Sequence, residues 1–192
     1  MNFRLSSIGM SVAFALSAGQ ALAAADAVQK SPTPAAVPSA TGSVGKSALS
    51  AVDRTFITKA SGAGMYEVEI SKIAADKAQD PSVKEFAQMM VKDHTAANEE
   101  LKALAAANGA EVASDVPAEK KPVVKKLSGL SGAAFDKAYR EQVGLKDHKA
   151  DIALFERQAK SGELPELKAW ASQKLPTLKS HLEHAQSLKP KA

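Results

Sequence analysis

The stretch that decides the fold is residues 83–104, VKEFAQMMVKDHTAANEELKAL. Steps of three and four along it place one set of residues on a single face of an α-helix: Val83, Ala87, Met90, His94, Ala97, Leu101 and Leu104. Every position on this stripe is apolar except His94. A buried imidazole needs a polar partner, because an unpaired polar group in a core is costly. The residue that faces His94 is therefore the main question for this core.

The preceding segment predicts a second amphipathic helix that starts with Asp53 as its N-cap and ends near Ala78. Its stripe is apolar except at one carboxylate: Phe56, Ala60, Ala63, Glu67, Ile70 and Ala74. A turn at residues 80–81 joins the two helices into a hairpin. Glu67 and His94 lie about thirteen and fourteen residues from this turn, and at about 1.5 Å per residue they reach nearly the same height. We expect Glu67 and His94 to face each other.

The C-terminal half predicts a second hairpin. Residues 110–132 contain two prolines and two late glycines, and are predicted to form a long crossover with a short helix near residues 118–127. A helix over residues 133–160 has an apolar stripe interrupted by Glu141 and His148. A last helix over residues 164–188 carries His181 on its apolar side. Two hairpins and a long crossover predict an all-α, four-helix bundle.

The two ends of the chain have other compositions. Residues 1–23 have one basic residue, an apolar run and an Ala-x-Ala site before Ala24, as in a secretory signal peptide. The pattern predicts cleavage near Ala23 and a periplasmic or secreted protein. Residues 24–52 are rich in Ala, Pro, Ser and Gly and are predicted to be a disordered tether. Residues 53–188 are the predicted bundle and residues 189–192 a tail.

Composition narrows the class of partner. The 192 residues have a formal net charge of +4 and no cysteine, so a single domain with an ordinary apolar core is expected. No basic patch interleaved with aromatic residues is present, which argues against a nucleic-acid partner. No later stretch is apolar enough to predict a transmembrane segment. An envelope surface, a protein partner and a second copy of the chain stay open.

Four motifs in this order resemble the DUF4142 family. They are Phe56 followed, after eight intervening residues, by MYEVEIS at residues 65–71, FAQMMVKDH at residues 86–94, FDKAY at residues 135–139 with the later His148, and LPTLKSHL at residues 175–182. The resemblance covers about residues 53–188. It implies an exported bacterial protein with a ferritin-like four-helix bundle, and it implies no reaction because the family has no established function.

The ferritin-like architecture commonly holds two metal ions with a Glu-x-x-His motif on each of two helices. This sequence departs from that pattern. Val91 stands three residues before His94, and Leu145 stands three residues before His148. The departure argues against an oxygen-activating di-iron site, and with it against ferroxidase or catalase activity.

One polar residue on the inner face of each helix remains as the candidate site: Glu67, His94, His148 and His181. Such a set suits one transition-metal ion, Zn, Fe, Mn or Cu. Glu69 or Glu141 is the predicted outer partner of a histidine. Counting residues from Gly162 places His148 and His181 about 7 Å apart in height, and His184 is the alternative on the last helix.

The favoured interpretation of this cluster is structural: Glu67 and His94 are a buried pair that holds the helices in register. The sequence contains no paired nucleophile and base and no Gly-rich phosphate loop, so no catalytic residue is predicted. The predicted function is a non-enzymatic exported binding protein of the envelope or stress response. The alternative is a ferritin-like redox protein with a mononuclear or degenerate dinuclear metal site.

Overall fold

The computed structural model describes residues 49–189, and no β-strand occurs among them. The predicted signal peptide, most of the predicted tether and residues 190–192 lie outside this part of the chain. The helices are α1 (Ala51–Lys77), α2 (Pro81–Ala107), α3 (Lys121–Ser128), α4 (Gly132–Tyr139), a π-helix (Arg140–Asp147), α5 (His148–Ser161) and α6 (Pro165–Ser187).

Four long rods build the molecule. α1 and α2 form one hairpin, and the continuous run of α4, the π-helix and α5 forms a second hairpin with α6. The hairpins pack with α1 against α5 and α2 against α6, while α3 lies in the crossover and contacts α1 and α4. The predicted all-α four-helix bundle of the ferritin-like type is confirmed. None of the helices within residues 49–189 combines the length and the apolar character needed to cross a bilayer.

Asp53 has a different role from the predicted one. α1 begins at Ala51, and Ser50 is its N-cap because Ser50 Oγ accepts a hydrogen bond from the backbone N–H of Asp53 at 3.1 Å. The Asp53 carboxylate is buried and instead accepts hydrogen bonds from Gln158 Nε2 at 2.6 Å and from the backbone N–H of Leu164 at 3.0 Å. Asp53 thus ties α1 to the turn between α5 and α6.

Asp136 does the same for the other turn. Its carboxylate accepts hydrogen bonds from the backbone N–H groups of Gln79 at 3.1 Å and Asp80 at 2.7 Å, in the turn between α1 and α2. Each hairpin turn is therefore held by an aspartate from the opposite hairpin. These charge-assisted hydrogen bonds fix how far one hairpin can slide along the other.

The π-helix changes which residues of the third rod face the core. The predicted stripe placed Glu141 and His148 on one inward face, but Glu141 is exposed and only His148 is buried. The buried residues are Phe135, Tyr139 and Val143. The prediction assumed 3.6 residues per turn, whereas bonding from residue i to i+5 widens each turn, so residues seven apart no longer share a face.

The apolar core consists of two clusters. One surrounds Phe86, Met90 and Tyr139 near the α1–α2 turn, and the other surrounds Phe56 and Trp170 near the α5–α6 turn. On α2, on the third rod and on α6, one histidine falls between these clusters in sequence: His94, His148 and His181. On α1, Glu67 directly follows Tyr66, the residue at which the first cluster begins. The fold thus places a polar layer across the middle of the bundle.

Candidate metal centre

Three buried imidazoles from three rods meet in this polar layer. His94 comes from α2, His148 is the first residue of α5, and His181 comes from α6. One nitrogen from each ring lies within 4.8 Å of the others. Three neutral nitrogens at this separation can surround one metal ion after small side-chain adjustments.

The outer nitrogen of each ring has a hydrogen-bond partner. His94 Nδ1 lies 3.0 Å from Glu67 Oε2, and His181 Nε2 lies 3.0 Å from Asp93 Oδ2. His148 Nδ1 lies 2.9 Å from the carbonyl oxygen of Val143, in the π-helix. Since each acceptor takes an N–H, these contacts assign the protonated nitrogen of each neutral ring.

The inner nitrogens are then left with their lone pairs. His148 Nε2 and His181 Nδ1 are 3.3 Å apart, a distance at which two unprotonated nitrogens repel unless something lies between them or one is protonated. His94 Nε2 is buried and makes no hydrogen bond with any residue of the described chain. An orphaned buried nitrogen beside two other imidazoles fits a metal ligand better than a satisfied core group.

Burial keeps the three rings uncharged. It lowers the pKa of His148 to about 4, partly offset by the Val143 carbonyl. It also lowers the pKa of His94 and of His181, although Asp93 opposes the shift of His181. Neutral imidazole is the form that binds a metal ion, so the site is in its ligand form at neutral pH.

The buried carboxyl groups of Glu67 and Asp151 lie next to the histidine cluster. Burial and the neighbouring Asp151 raise the pKa of Glu67, and burial raises the pKa of Asp151 to about 6. Glu67 Oε1 and Asp151 Oδ2 are buried, and neither accepts a hydrogen bond from a donor of residues 49–189 in the ionised form. The pair therefore favours a state in which a proton stays on one of the two carboxyl groups.

Asp147 fixes the end of the π-helix next to His148. Its carboxylate accepts hydrogen bonds from the Tyr66 hydroxyl at 3.1 Å and from Lys120 Nζ at 2.8 Å. These contacts bind the third rod to α1 and to the crossover. They hold the backbone from which the His148 side chain enters the core.

The structure brings Glu67, His94, His148 and His181 together. Glu67 contacts the outer nitrogen of His94, and its other oxygen lies 3.6 Å from His148 Nδ1, so it is an outer partner of the imidazoles in this geometry. The expected outer partners Glu69 and Glu141 are exposed at the surface. Glu69 is two residues from Glu67 and points to the other side of α1, and the π-helix turns Glu141 outward.

Sequence reasoning missed Asp93 and Asp151. Asp151 stands three residues after His148 on a helix, a spacing that places both on one face and could have revealed it. No sequence spacing indicates the role of Asp93. It is adjacent to His94 in the chain, but its carboxylate contacts His181, which lies on another helix.

His181, and not the alternative His184, belongs to the cluster. The turn takes up residues 162–164, so α6 begins only at Pro165 and the axial offset from His148 is smaller than a count from Gly162 suggests. His184 is half-buried and packs against the Phe86 ring at a centroid distance of 5.3 Å.

A cavity of about 210 Å³ adjoins the histidines. His94 and His181 line it together with the acidic residues Glu67, Asp93 and Asp151. The cavity therefore borders the polar layer of the bundle.

The chain is similar to one protein family in sequence and to two solved structures in fold. Residues 38–188 match the family described as "Domain of unknown function (DUF4142)". Among proteins of curated function, none matches this sequence significantly. A DUF305 protein from Streptomyces coelicolor is 18% identical with a TM-score of 0.60, over 70% of this chain and 89% of that chain. A DUF305 fragment from Deinococcus radiodurans is 12% identical with a TM-score of 0.64, over 72% of this chain and 95% of that chain. At these identities the likeness concerns the fold alone.

Proposed function

The chain belongs to the DUF4142 family, and we propose that it binds one divalent transition-metal ion through His94, His148 and His181. The export pattern of residues 1–23 supports a role in the periplasm or outside the cell. The proposed function is metal binding in that compartment, as a carrier, buffer or sensor of the ion.

One observation carries the proposal. Three buried imidazoles converge within 4.8 Å, and the nitrogen that faces inward on His94 has no hydrogen-bond partner among residues 49–189. A purely structural cluster would satisfy that nitrogen, because a buried unpaired donor or acceptor costs about 1–3 kcal/mol. The outer acceptors Glu67 and Asp93 are the partners that commonly orient metal-binding histidines.

The donor set narrows the choice of ion. Imidazole suits Zn²⁺, Cu²⁺, Fe²⁺ and Ni²⁺, and affinities for such a site rise in the order Mn²⁺, Fe²⁺, Co²⁺, Cu²⁺. Three histidines leave a fourth coordination position open, and here the cavity lies beside them. When bound, the ion would supply a Lewis acid at the end of that cavity.

The four histidines of the chain allow a matched test. Protein refolded or purified with a chelator would be dialysed against Zn²⁺, and bound metal counted by elemental analysis. We expect about one ion per chain in the wild type and a loss of at least about tenfold in affinity in His94→Gln, His148→Gln and His181→Gln. Gln keeps a polar group of similar reach but loses the imidazole.

His184→Gln is the control, because His184 lies one turn from His181 on α6 but outside the cluster. It should bind Zn²⁺ like the wild type. Far-UV circular dichroism would check that each variant is folded. Equal metal binding by all four variants, or no metal binding by the wild type, would refute the proposal. Glu67 and the three histidines would then have a structural role only.

A further inference from the structure

We propose that the cavity beside the histidines binds a small neutral molecule that has one nitrogen donor on a compact apolar body, such as an azole. Its donor atom would take the open position of the metal ion, so the inference rests on the proposed function.

The cavity reaches the histidines from the surface. All four rods contribute to its wall, and His94 and His181 lie in it. Two of its lining residues, Ala96 on α2 and Thr177 on α6, are exposed. Its mouth therefore lies between α2 and α6, on the same side as Asp93.

Size and wall chemistry define the body of the ligand. An engineered apolar cavity of about 150 Å³ in another protein holds benzene, and this cavity is about 210 Å³. Its apolar wall includes Leu101, Phe155, Trp170 and Leu178, all buried. A five- or six-membered ring with a small substituent fits this volume, and the aromatic side chains favour a flat apolar group.

Charge disfavours an anion. Glu67, Asp93 and Asp151 line the cavity and offset the charge of a divalent ion. Lys174 also lines it, but its Nζ lies 2.6 Å from Glu100 Oε2 and is already paired. An anionic ligand would bring further negative charge beside these carboxyl groups, and a cationic ligand would have no lone pair to donate to the metal.

Glu100 is a positioning residue for the cavity wall. The same oxygen that pairs with Lys174 accepts a hydrogen bond from Trp170 Nε1 at 2.7 Å. The contact pairs the indole N–H, so this donor is not free to bind a ligand. It also makes Trp170 a reporter, since it is the sole tryptophan of the chain and lies in the wall.

The test uses Co²⁺-loaded protein titrated with 4-methylimidazole and, in parallel, with acetate. We expect 4-methylimidazole to change both the visible absorption of Co²⁺ and the fluorescence of Trp170 with one-to-one saturation, and acetate to bind more weakly. Ala97→Leu, which places a larger side chain in the cavity wall, should weaken 4-methylimidazole at least about tenfold and leave Co²⁺ binding unchanged.

Ala103→Leu is the control, because Ala103 lies on α2, is exposed and is outside the wall. Ala63→Leu, on α1, is a second blocked variant in case Ala97→Leu does not fold. Wild-type protein that takes up Co²⁺ but responds to neither compound would overturn this inference alone. Tighter binding of acetate, or equal effects of Ala97→Leu and Ala103→Leu, would also overturn it. Failure to load Co²⁺ at all would remove the proposed function, and the inference with it.

Discussion

At the residue scale, the apolar stripe around His94 predicts a buried imidazole, and the similar distances of Glu67 and His94 from the α1–α2 turn predict that the two residues are neighbours. Their atoms lie 3.0 Å apart. Helical periodicity identifies which face of each helix is buried. It therefore identifies pairs such as Glu67 and His94, in which both residues lie on the buried faces of neighbouring helices. It does not find Asp93, whose side chain leaves the His94 face and contacts His181 on α6. Such a contact depends on how neighbouring helices are rotated, which no single stripe contains.

The buried carboxyl pair predicts a pH effect on stability. Asp151 has a pKa of about 6 in the fold and 3.8 as its reference value, so the folded protein holds the extra proton between these values. Between pH 3.8 and 6, Asp151 ionises in the unfolded chain but stays protonated in the fold. The free energy of unfolding therefore falls as the pH rises through this range. Asp151→Asn cannot ionise. Relative to the wild type, it should gain about 1–3 kcal/mol over this range and stay level above it.

Urea unfolding of metal-free protein at several pH values between 4 and 7.5, followed by circular dichroism, would measure this difference. The histidine contributions cancel because both proteins keep them. Asp76→Asn is the control, since Asp76 is exposed near the end of α1. A stability difference between Asp151→Asn and the wild type that does not change with pH would contradict the account of the pair.

At the element scale, the π-helix is the feature that helical periodicity could not foresee. A stripe built on 3.6 residues per turn matches the buried face of α1 and α2, but it is out of phase over Arg140–Asp147. The π-helix also carries Val143, whose carbonyl orients His148, and Gly144, whose missing side chain admits α6. This element therefore sets the distance between His148 and His181.

Gly144→Ala tests that role. A Cβ at Gly144 would lie 2.7 Å from Ala185 Cβ, so α6 has to move. We expect a net destabilisation of about 1–2 kcal/mol and, because α6 carries His181, a weaker Zn²⁺ affinity. The double variant Gly144→Ala, Ala185→Gly removes the clash and should recover the affinity.

Gly62→Ala is a matched control at the same distance. Its Cβ would lie 2.7 Å from Pro117 Cγ in the crossover, away from α6. It should lose stability to a similar degree and keep its Zn²⁺ affinity. If Gly62→Ala and Gly144→Ala weakened Zn²⁺ binding equally, the π-helix would have no special part in the site.

At the scale of the whole molecule, the bundle joins two hairpins whose turns are each held by an aspartate of the other hairpin. Helix lengths, turn residues and the long crossover were enough to predict this architecture, because they are local features of the sequence. The register between the hairpins was not predictable, since it depends on Asp53 and Asp136 reaching distant backbone N–H groups. That register is what brings His94 of the first hairpin to His148 and His181 of the second.

The most direct measurement of the central claim is X-ray absorption spectroscopy of the Zn²⁺-loaded protein at one ion per chain. The account predicts three imidazole nitrogens at about 2.0–2.1 Å and one further light atom in the first shell. It also predicts that the imidazole signal drops in His181→Gln and is unchanged in His184→Gln. A first shell of oxygens with at most one imidazole would place the ion elsewhere and contradict the claim that the three buried histidines form a metal site.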